Sequence, residues 1–144
     1  MTLYLADSSI WAWANKGPRP DINEKLAERL ERGEVATCVP VALEVMHRAG
    51  TGAQYEQLFS ALLEPLEWLP LDAAGNKRAI NVQRELAATS HGNHRRPAVD
   101  YLIAATAEVA GDDVILWFFD KDLRVICTHT GQPSDAEEST GPGH

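Results

Sequence analysis

Val114-Ile115-Leu116-Trp117-Phe118-Phe119-Asp120 is the stretch on which the reading of this chain turns. It holds six apolar residues in a row, without the alternation of a half-solvated strand. Such a run describes a strand covered on both faces, as in a parallel sheet. Asp120 stops it, and a short helix follows. Upstream, Pro97 opens a segment, AVDYLIAATAEVAG, that is apolar nearly all round at its centre. That pattern predicts a buried helix, which Gly111 ends. Near the start, Leu3-Tyr4-Leu5-Ala6 reads as another buried strand, and Asp7-Ser8-Ser9 stops it at a helix N-cap.

The intervening chain continues the alternation. Gly17-Pro18-Arg19-Pro20 is a break, after which Asp21 begins an amphipathic helix with Ile22, Leu26 and Leu30 on one face. Gly33 closes that helix, and Val35 to Val39 is a short β-branched strand. Pro40 opens a helix to Ala49, Tyr55 to Leu63 is helical, and Leu66-Glu67-Trp68-Leu69 reads as a third strand. Asp72 to Thr89 is a long polar helix with Ile80, Val82, Leu86 and Ala87 as its buried side, and residues 91–96 (HGNHRR) form a basic loop. Residues 1–133 read as one domain without repeats or linkers; residues 134–144, polar and rich in Pro and Gly, read as a frayed, disordered tail. Strands alternating with helices predict a single α/β domain with a mostly parallel sheet.

Composition narrows the function. The chain has 144 residues, 44% of them hydrophobic, enough for a core that needs neither disulfides nor a structural metal. Thirteen Lys and Arg against 21 Asp and Glu leave a net charge of −8, which excludes a polybasic nucleic-acid binder. It does not exclude an enzyme that handles a polyanion through a metal, since a divalent ion inverts the local sign. Cys38 and Cys127 lie far apart in apolar surroundings and read as core residues in a reducing compartment. The longest uninterrupted apolar run, Val114 to Phe119, is far short of the ~20 residues that cross a bilayer. A cytoplasmic location without a membrane anchor is expected.

In an open α/β sheet, ligands bind beyond the carboxyl ends of the strands, near the point where strand order reverses. Asp7 and Asp120 end strands, with Asp122 two residues further on; Asp100 lies in the first turn of the most buried helix, and Glu44 sits within the apolar run 41–46. Each has an ordinary explanation. Asp7 suits a helix cap, Asp100 a helix dipole, Asp120 and Asp122 a turn. Glu44 has Arg48 four residues on, the orientation of a surface ion pair. If they converge instead, like charges require a cation to hold them together, and oxygen ligands favour Mg²⁺ or Mn²⁺ over zinc. Such a cluster serves phosphoryl chemistry, where a metal activates water and offsets charge on a phosphate.

No HExxH, GxSxG, GxGxxG or Walker A pattern is present, and the histidines follow no zinc spacing. Trp11, Trp13, Trp68 and Trp117 fall mostly in apolar segments and read as core or interface residues.

The segments LADSSIW (5–11), PVALEVMHRA (40–49), PAVDYLIAATAEVAG (97–111) and FFDKDLRVI (118–126) resemble the four acidic motifs of PIN-domain ribonucleases, and most closely the VapC-type toxins of toxin–antitoxin pairs. The similarity runs in order from about residue 3 to Pro133. The resemblance implies a three-layer α/β/α fold in which Asp7, Glu44, Asp100 and Asp120 gather around Mg²⁺ or Mn²⁺, with Asp122 as an accessory acid and Ser9 supporting the site. It implies metal-dependent endonuclease cleavage of RNA, a cognate VapB-type antitoxin that covers the site, and a homodimer. Arg95, Arg96 and Lys121 are the expected substrate-binding strip, because an acidic protein needs local basic groups to hold RNA. The antitoxin is expected to insert an Arg or Lys among the acids, with Trp11 and Trp13 as candidates for the apolar surface beside them. Two rivals stand beside this reading. One is a phosphatase of the haloacid-dehalogenase kind, suggested by Asp120-Lys121-Asp122. The other is a non-catalytic acidic module binding a partner through Trp11, Trp13 and the Asp21–Arg32 helix.

Overall fold

The computed structural model describes residues 1–16 and 19–138. The Gly17-Pro18 part of the expected break and residues 139–144 of the expected tail lie outside them. Five parallel strands form one sheet: β1 (Leu3–Ala6), β2 (Val35–Thr37), β3 (Glu67–Trp68), β4 (Val114–Phe118) and β5 (Ser134–Ala136), in the order β3-β2-β1-β4-β5. Helices α1 (Ser8–Lys16), α2 (Pro20–Glu31), α3 (Val39–Met46), α4 (Gly52–Leu58), α5 (Ala73–Thr89), α6 (Ala98–Ala110) and α7 (Lys121–Thr130) complete a three-layer α/β/α domain. A single π-type turn, Phe59–Leu63, extends α4.

The apolar run at 114–119 is the central strand it promised to be. Leu116 and Trp117 are fully buried and Phe118 nearly so, and β4 pairs with β1 from Leu3↔Val114 to Ala6↔Trp117. In α6, Ile103 to Ala107 are buried without a break, which is why its centre carries no polar face. The strand order reverses between β1 and β4, so the crevice of this sheet lies at their carboxyl ends. Asp7 directly follows β1, and Asp120 stands two residues beyond β4.

Two expectations fail for identifiable reasons. In α5 the buried residues are Gly75, Ala79, Val82 and Leu86, whereas Ile80 is 56% exposed and Ala87 is exposed. Val82 and Leu86 are buried as expected, but the face turns through the small residues Gly75 and Ala79 rather than Ile80 and Ala87, which hydrophobicity alone does not select.

The polar tail is the second. Ser134–Ala136 forms β5, paired with β4 in the register Leu116↔Ser134 to Phe118↔Ala136. Gly131, at φ +72°, ends α7 in the left-handed region and turns the chain back. Gln132 Nε2 then donates to the Ala104 carbonyl at 2.9 Å. Glu137 is 8% exposed, accepts the Trp117 indole N–H at 2.9 Å, and pairs with Lys25 at 2.6 Å and Arg19 at 3.8 Å. Arg29 pairs with Asp135 at 2.9 Å and lies over the rings of Tyr4 and Trp117, at 3.6 and 4.3 Å from their centroids. The segment orders because its acids meet the basic face of α2, and the domain reaches at least to Glu138. The Lys25 and Arg29 side of α2 is therefore closed, while Asp21, Glu24 and Glu28 stay exposed on its other side.

Cys38 and Cys127 are buried and free, and burial pushes their thiols up to about 11 and about 12. Among the described residues, no helix is long and apolar enough to cross a membrane.

Candidate active site

The DSS sequence at 7–9 builds one wall of the crevice. Asp7 is 2% exposed, and its Oδ2 accepts the Ser9 hydroxyl at 2.7 Å and the Ser9 amide at 3.1 Å. The same Ser9 oxygen accepts the Phe119 amide at 2.9 Å, tying the ends of β1 and β4 together one residue before Asp120. Ser9 thus orients the Asp7 carboxylate and links it to the end of β4. Ser8, which sequence reasoning passed over, donates its hydroxyl to Glu44 Oε1 at 3.0 Å. Glu44 turns inward from α3, and among the described residues it has no ion pair with Arg48. The surface-pair alternative fails because the apolar run carries Glu44 toward the crevice, while Arg48 stays exposed.

Asp120 Oδ1 accepts the amides of Asp122 and Leu123 at 2.8 and 2.9 Å and so caps α7. Capping and membership of the cluster are compatible: one oxygen fixes the helix start and the carboxylate still faces its neighbours. Asp100, Asp120 and Asp122 bring carboxylate oxygens within 4.8 Å of one another. Burial, reinforced by Asp120, Asp7, Glu44 and Asp122 in turn, lifts Asp100 to about 8. Burial, opposed by the Ser9 hydrogen bonds and reinforced by Glu44 and Asp120, lifts Asp7 to about 6. All five predicted acids thus belong to one electrostatic neighbourhood.

The donor set suits a hard divalent cation. Asp7 Oδ1 and Asp100 Oδ2 are buried without any hydrogen-bond partner, a costly state for an anionic oxygen that a cation relieves. All the converging donors are carboxylate oxygens, the ligands of Mg²⁺ and Mn²⁺.

The three basic residues expected to hold substrate divide. Arg95 and Lys121 are exposed beside the crevice acids in sequence. Arg96 is instead bonded to Asp122 at 2.8 Å and to Asn93, an internal contact that sequence spacing did not reveal. Trp11 and Trp13 also part ways. Trp13 stacks on Phe119, with ring centroids 5.2 Å apart. Trp11 lines an apolar groove of about 680 Å³, with Val39, Leu43, Val99 and Leu102, that runs into the acidic crevice at Ser8 and Glu44.

An α/β/α sheet with ordered acids at its switch point defines a class, and the comparisons agree. A family model described as PIN domain matches residues 4–128, and the chain belongs to the PIN domain family. Its relatives include Ribonuclease VapC18 of Mycobacterium tuberculosis (strain ATCC 25618 / H37Rv), 31% identical over 134 residues, covering 92% of this chain and 93% of that protein. Ribonuclease VapC51 of the same organism is 32% identical over 130 residues, covering 90% of this chain and 89% of that protein. Among solved structures, a DNA-bound VapBC from Salmonella typhimurium matches with a TM-score of 0.73 at 16% identity, over 94% of this chain and 98% of that one. VapBC2 from Rickettsia felis, bound to a DNA fragment from its promoter, matches with a TM-score of 0.69 at 18% identity, over 95% of this chain and 100% of that one.

Proposed function

We propose that this chain is a VapC-type toxin, a Mg²⁺- or Mn²⁺-dependent endoribonuclease controlled by a cognate VapB-type antitoxin. The observation that carries the proposal is the convergence of Asp7, Glu44, Asp100, Asp120 and Asp122 at the β1/β4 switch point, with buried carboxylate oxygens of Asp7 and Asp100 left unpartnered. The relatives' shared description as VapC ribonucleases supports it.

Asp7 and Asp100 are the principal ligands in this reading, with Glu44, Asp120 and Asp122 completing the set. A divalent ion held there supplies a water nucleophile at neutral pH and offsets the charge that develops on the phosphate. Ser9 fixes the Asp7 carboxylate and the end of β4 together, so two acids keep their spacing. Ser8 does the same for Glu44. Capping of α7 fixes Asp120. In this reading exposed Arg95 and Lys121 hold the RNA backbone, which a chain of net charge −8 attracts poorly elsewhere.

The antitoxin fits the same crevice. A cationic side chain, Arg above all, satisfies carboxylates with forked hydrogen bonds, and the groove beside Trp11 and Leu43 takes an apolar segment next to it. Homodimerisation, implied by the family resemblance, belongs to the same reading. The phosphatase rival loses its footing, since its acid pair follows a first strand and this one follows β4 within a PIN match.

The test is cleavage of single-stranded RNA by the purified chain. Mg²⁺ or Mn²⁺ restores cleavage after EDTA treatment, Asp7→Asn abolishes it, and the antitoxin encoded beside this chain suppresses it less as Mg²⁺ rises at fixed ionic strength. Metal-independent cleavage, or full activity in Asp7→Asn, refutes the assignment.

A further inference from the structure

Among the described residues, Arg96 is the one basic residue that ion-pairs with a carboxylate of the cluster. All three nitrogens of its guanidinium are engaged. Nη1 donates to Asp122 Oδ1 at 2.8 Å, Nη2 to Asn93 Oδ1 at 2.7 Å and Nε to the Asn93 carbonyl at 3.0 Å. Asn93 is held in turn, its Nδ2 donating to Thr89 Oγ1 at 2.9 Å, and that hydroxyl donates to the Leu86 carbonyl at 2.7 Å. Leu86 is 2% exposed, so this chain of bonds is rooted in the core at the end of α5. A guanidinium fixed by three bonds, with only 16% of its side chain exposed, is part of the wall rather than a mobile hand for phosphate.

Asp122 needs that wall. Its side chain is 22% exposed, against a buried Asp100, with a carboxylate oxygen within 4.8 Å of oxygens on Asp100 and Asp120. Repulsion from those two neighbours drives a free Asp122 side chain outward, where water solvates it fully. Arg96 opposes that motion and removes one negative charge from the rim. A lysine keeps the charge but cannot hold the Asn93 carbonyl, the Asn93 amide and Asp122 in one plane.

We infer that Arg96 is a positioning residue: braced by Asn93, it holds Asp122 against Asp100 and Asp120 and so sets how tightly the cluster binds a divalent cation. The inference rests on the proposed reading of the cluster as a metal site, and it assigns Arg96 to the metal rather than to RNA.

Mn²⁺ binding to the full chain, followed by electron paramagnetic resonance of the free ion without RNA, tests it. Arg96→Lys and Asn93→Ala each raise the Mn²⁺ dissociation constant about tenfold, the usual size for loss of a partner that orients a ligand. In an Asp122→Asn background, Arg96→Lys changes it by less than about twofold, because the route through Asp122 is already cut. Unchanged Mn²⁺ affinity in both single variants overturns the inference. So does an equal effect of Arg96→Lys with and without Asp122, which marks an action that does not pass through Asp122. Asn93→Ala leaves Arg96 in place and keeps the test decisive where Arg96→Lys does not fold. Failure of the parent chain itself to bind Mn²⁺ overturns the metal reading and this inference with it, an outcome distinct from either variant result.

Discussion

Replacing Asp100 by Asn strengthens the metal-free fold while removing activity, and the size of the gain follows from the burial of that carboxyl. Asp100 is 5% exposed and is lifted from 3.8 to about 8, by burial first and then by Asp120, Asp7, Glu44 and Asp122. A carboxyl whose pKa is higher folded than unfolded contributes stability that is fully present below pH 3.8 and is lost as the pH rises through about 8. Asparagine imitates the protonated form at every pH, so it escapes that loss. The span from 3.8 to pH 7.5 sets an upper bound of about 5 kcal/mol, at about 1.4 kcal/mol per pH unit. Proton sharing among the neighbouring acids and water at the crevice mouth reduce this to about 2 kcal/mol. Urea unfolding in EDTA at pH 5, 6.5 and 8 is the assay. Asp100→Asn gains about 2 kcal/mol over the parent near pH 7.5, or about 6 °C in melting temperature, and the advantage shrinks toward pH 5. RNA cleavage falls below detection at every pH. A variant less stable than the parent at pH 8, or an advantage that does not change with pH, refutes the crowded-carboxylate reasoning.

Two further substitutions probe separate links. Glu44→Gln lowers RNA turnover at least about tenfold, as expected when a site carboxylate is lost, while Arg48→Ala stays within about twofold; equal effects on steady-state cleavage return Glu44 to the surface. Glu137→Ala leaves the Trp117 indole N–H and the Lys25 charge unpartnered, while Arg19 keeps Asp21 at 2.8 Å, and costs about 2 kcal/mol in urea unfolding. Glu137→Gln, whose amide oxygen still accepts from Trp117, costs less, and a neutral Glu137→Ala would show that β5 does not hold the domain together.

The acids at the strand ends give the crevice its sign, and the hydroxyls of the DSS turn give it its spacing. Ser9 reaches both Asp7 and the Phe119 amide, so the geometry of two acids depends on a single oxygen. Their raised pKa values point the same way as the bare oxygens: the metal-free crevice is held together against its own charge.

Much of this was written in local sequence. A six-residue apolar run rich in β-branched and aromatic residues suits a strand covered on both faces, and Asp7, Asp100 and Asp120 stand where strand and helix ends put side chains into a crevice. Local pattern did not carry Glu44, whose spacing to Arg48 suggested a surface pair; only the resemblance to the second acidic motif assigned it to the site. Local pattern misled where composition stood in for packing. Ile80 is exposed because α5 buries the face of Gly75, Ala79, Val82 and Leu86 instead, a choice that tertiary packing makes and hydrophobicity does not report. The polar segment after Pro133 is a strand because Arg19, Lys25 and Arg29, more than a hundred residues earlier, present charges that its acids satisfy. Arg96 looked like a hand for RNA until the loop brought it onto Asp122. Periodicity and punctuation are set by neighbours along the chain, so they can be read from it. Ion pairs between distant segments, and the choice of which charge faces which, depend on distances that only the folded backbone fixes.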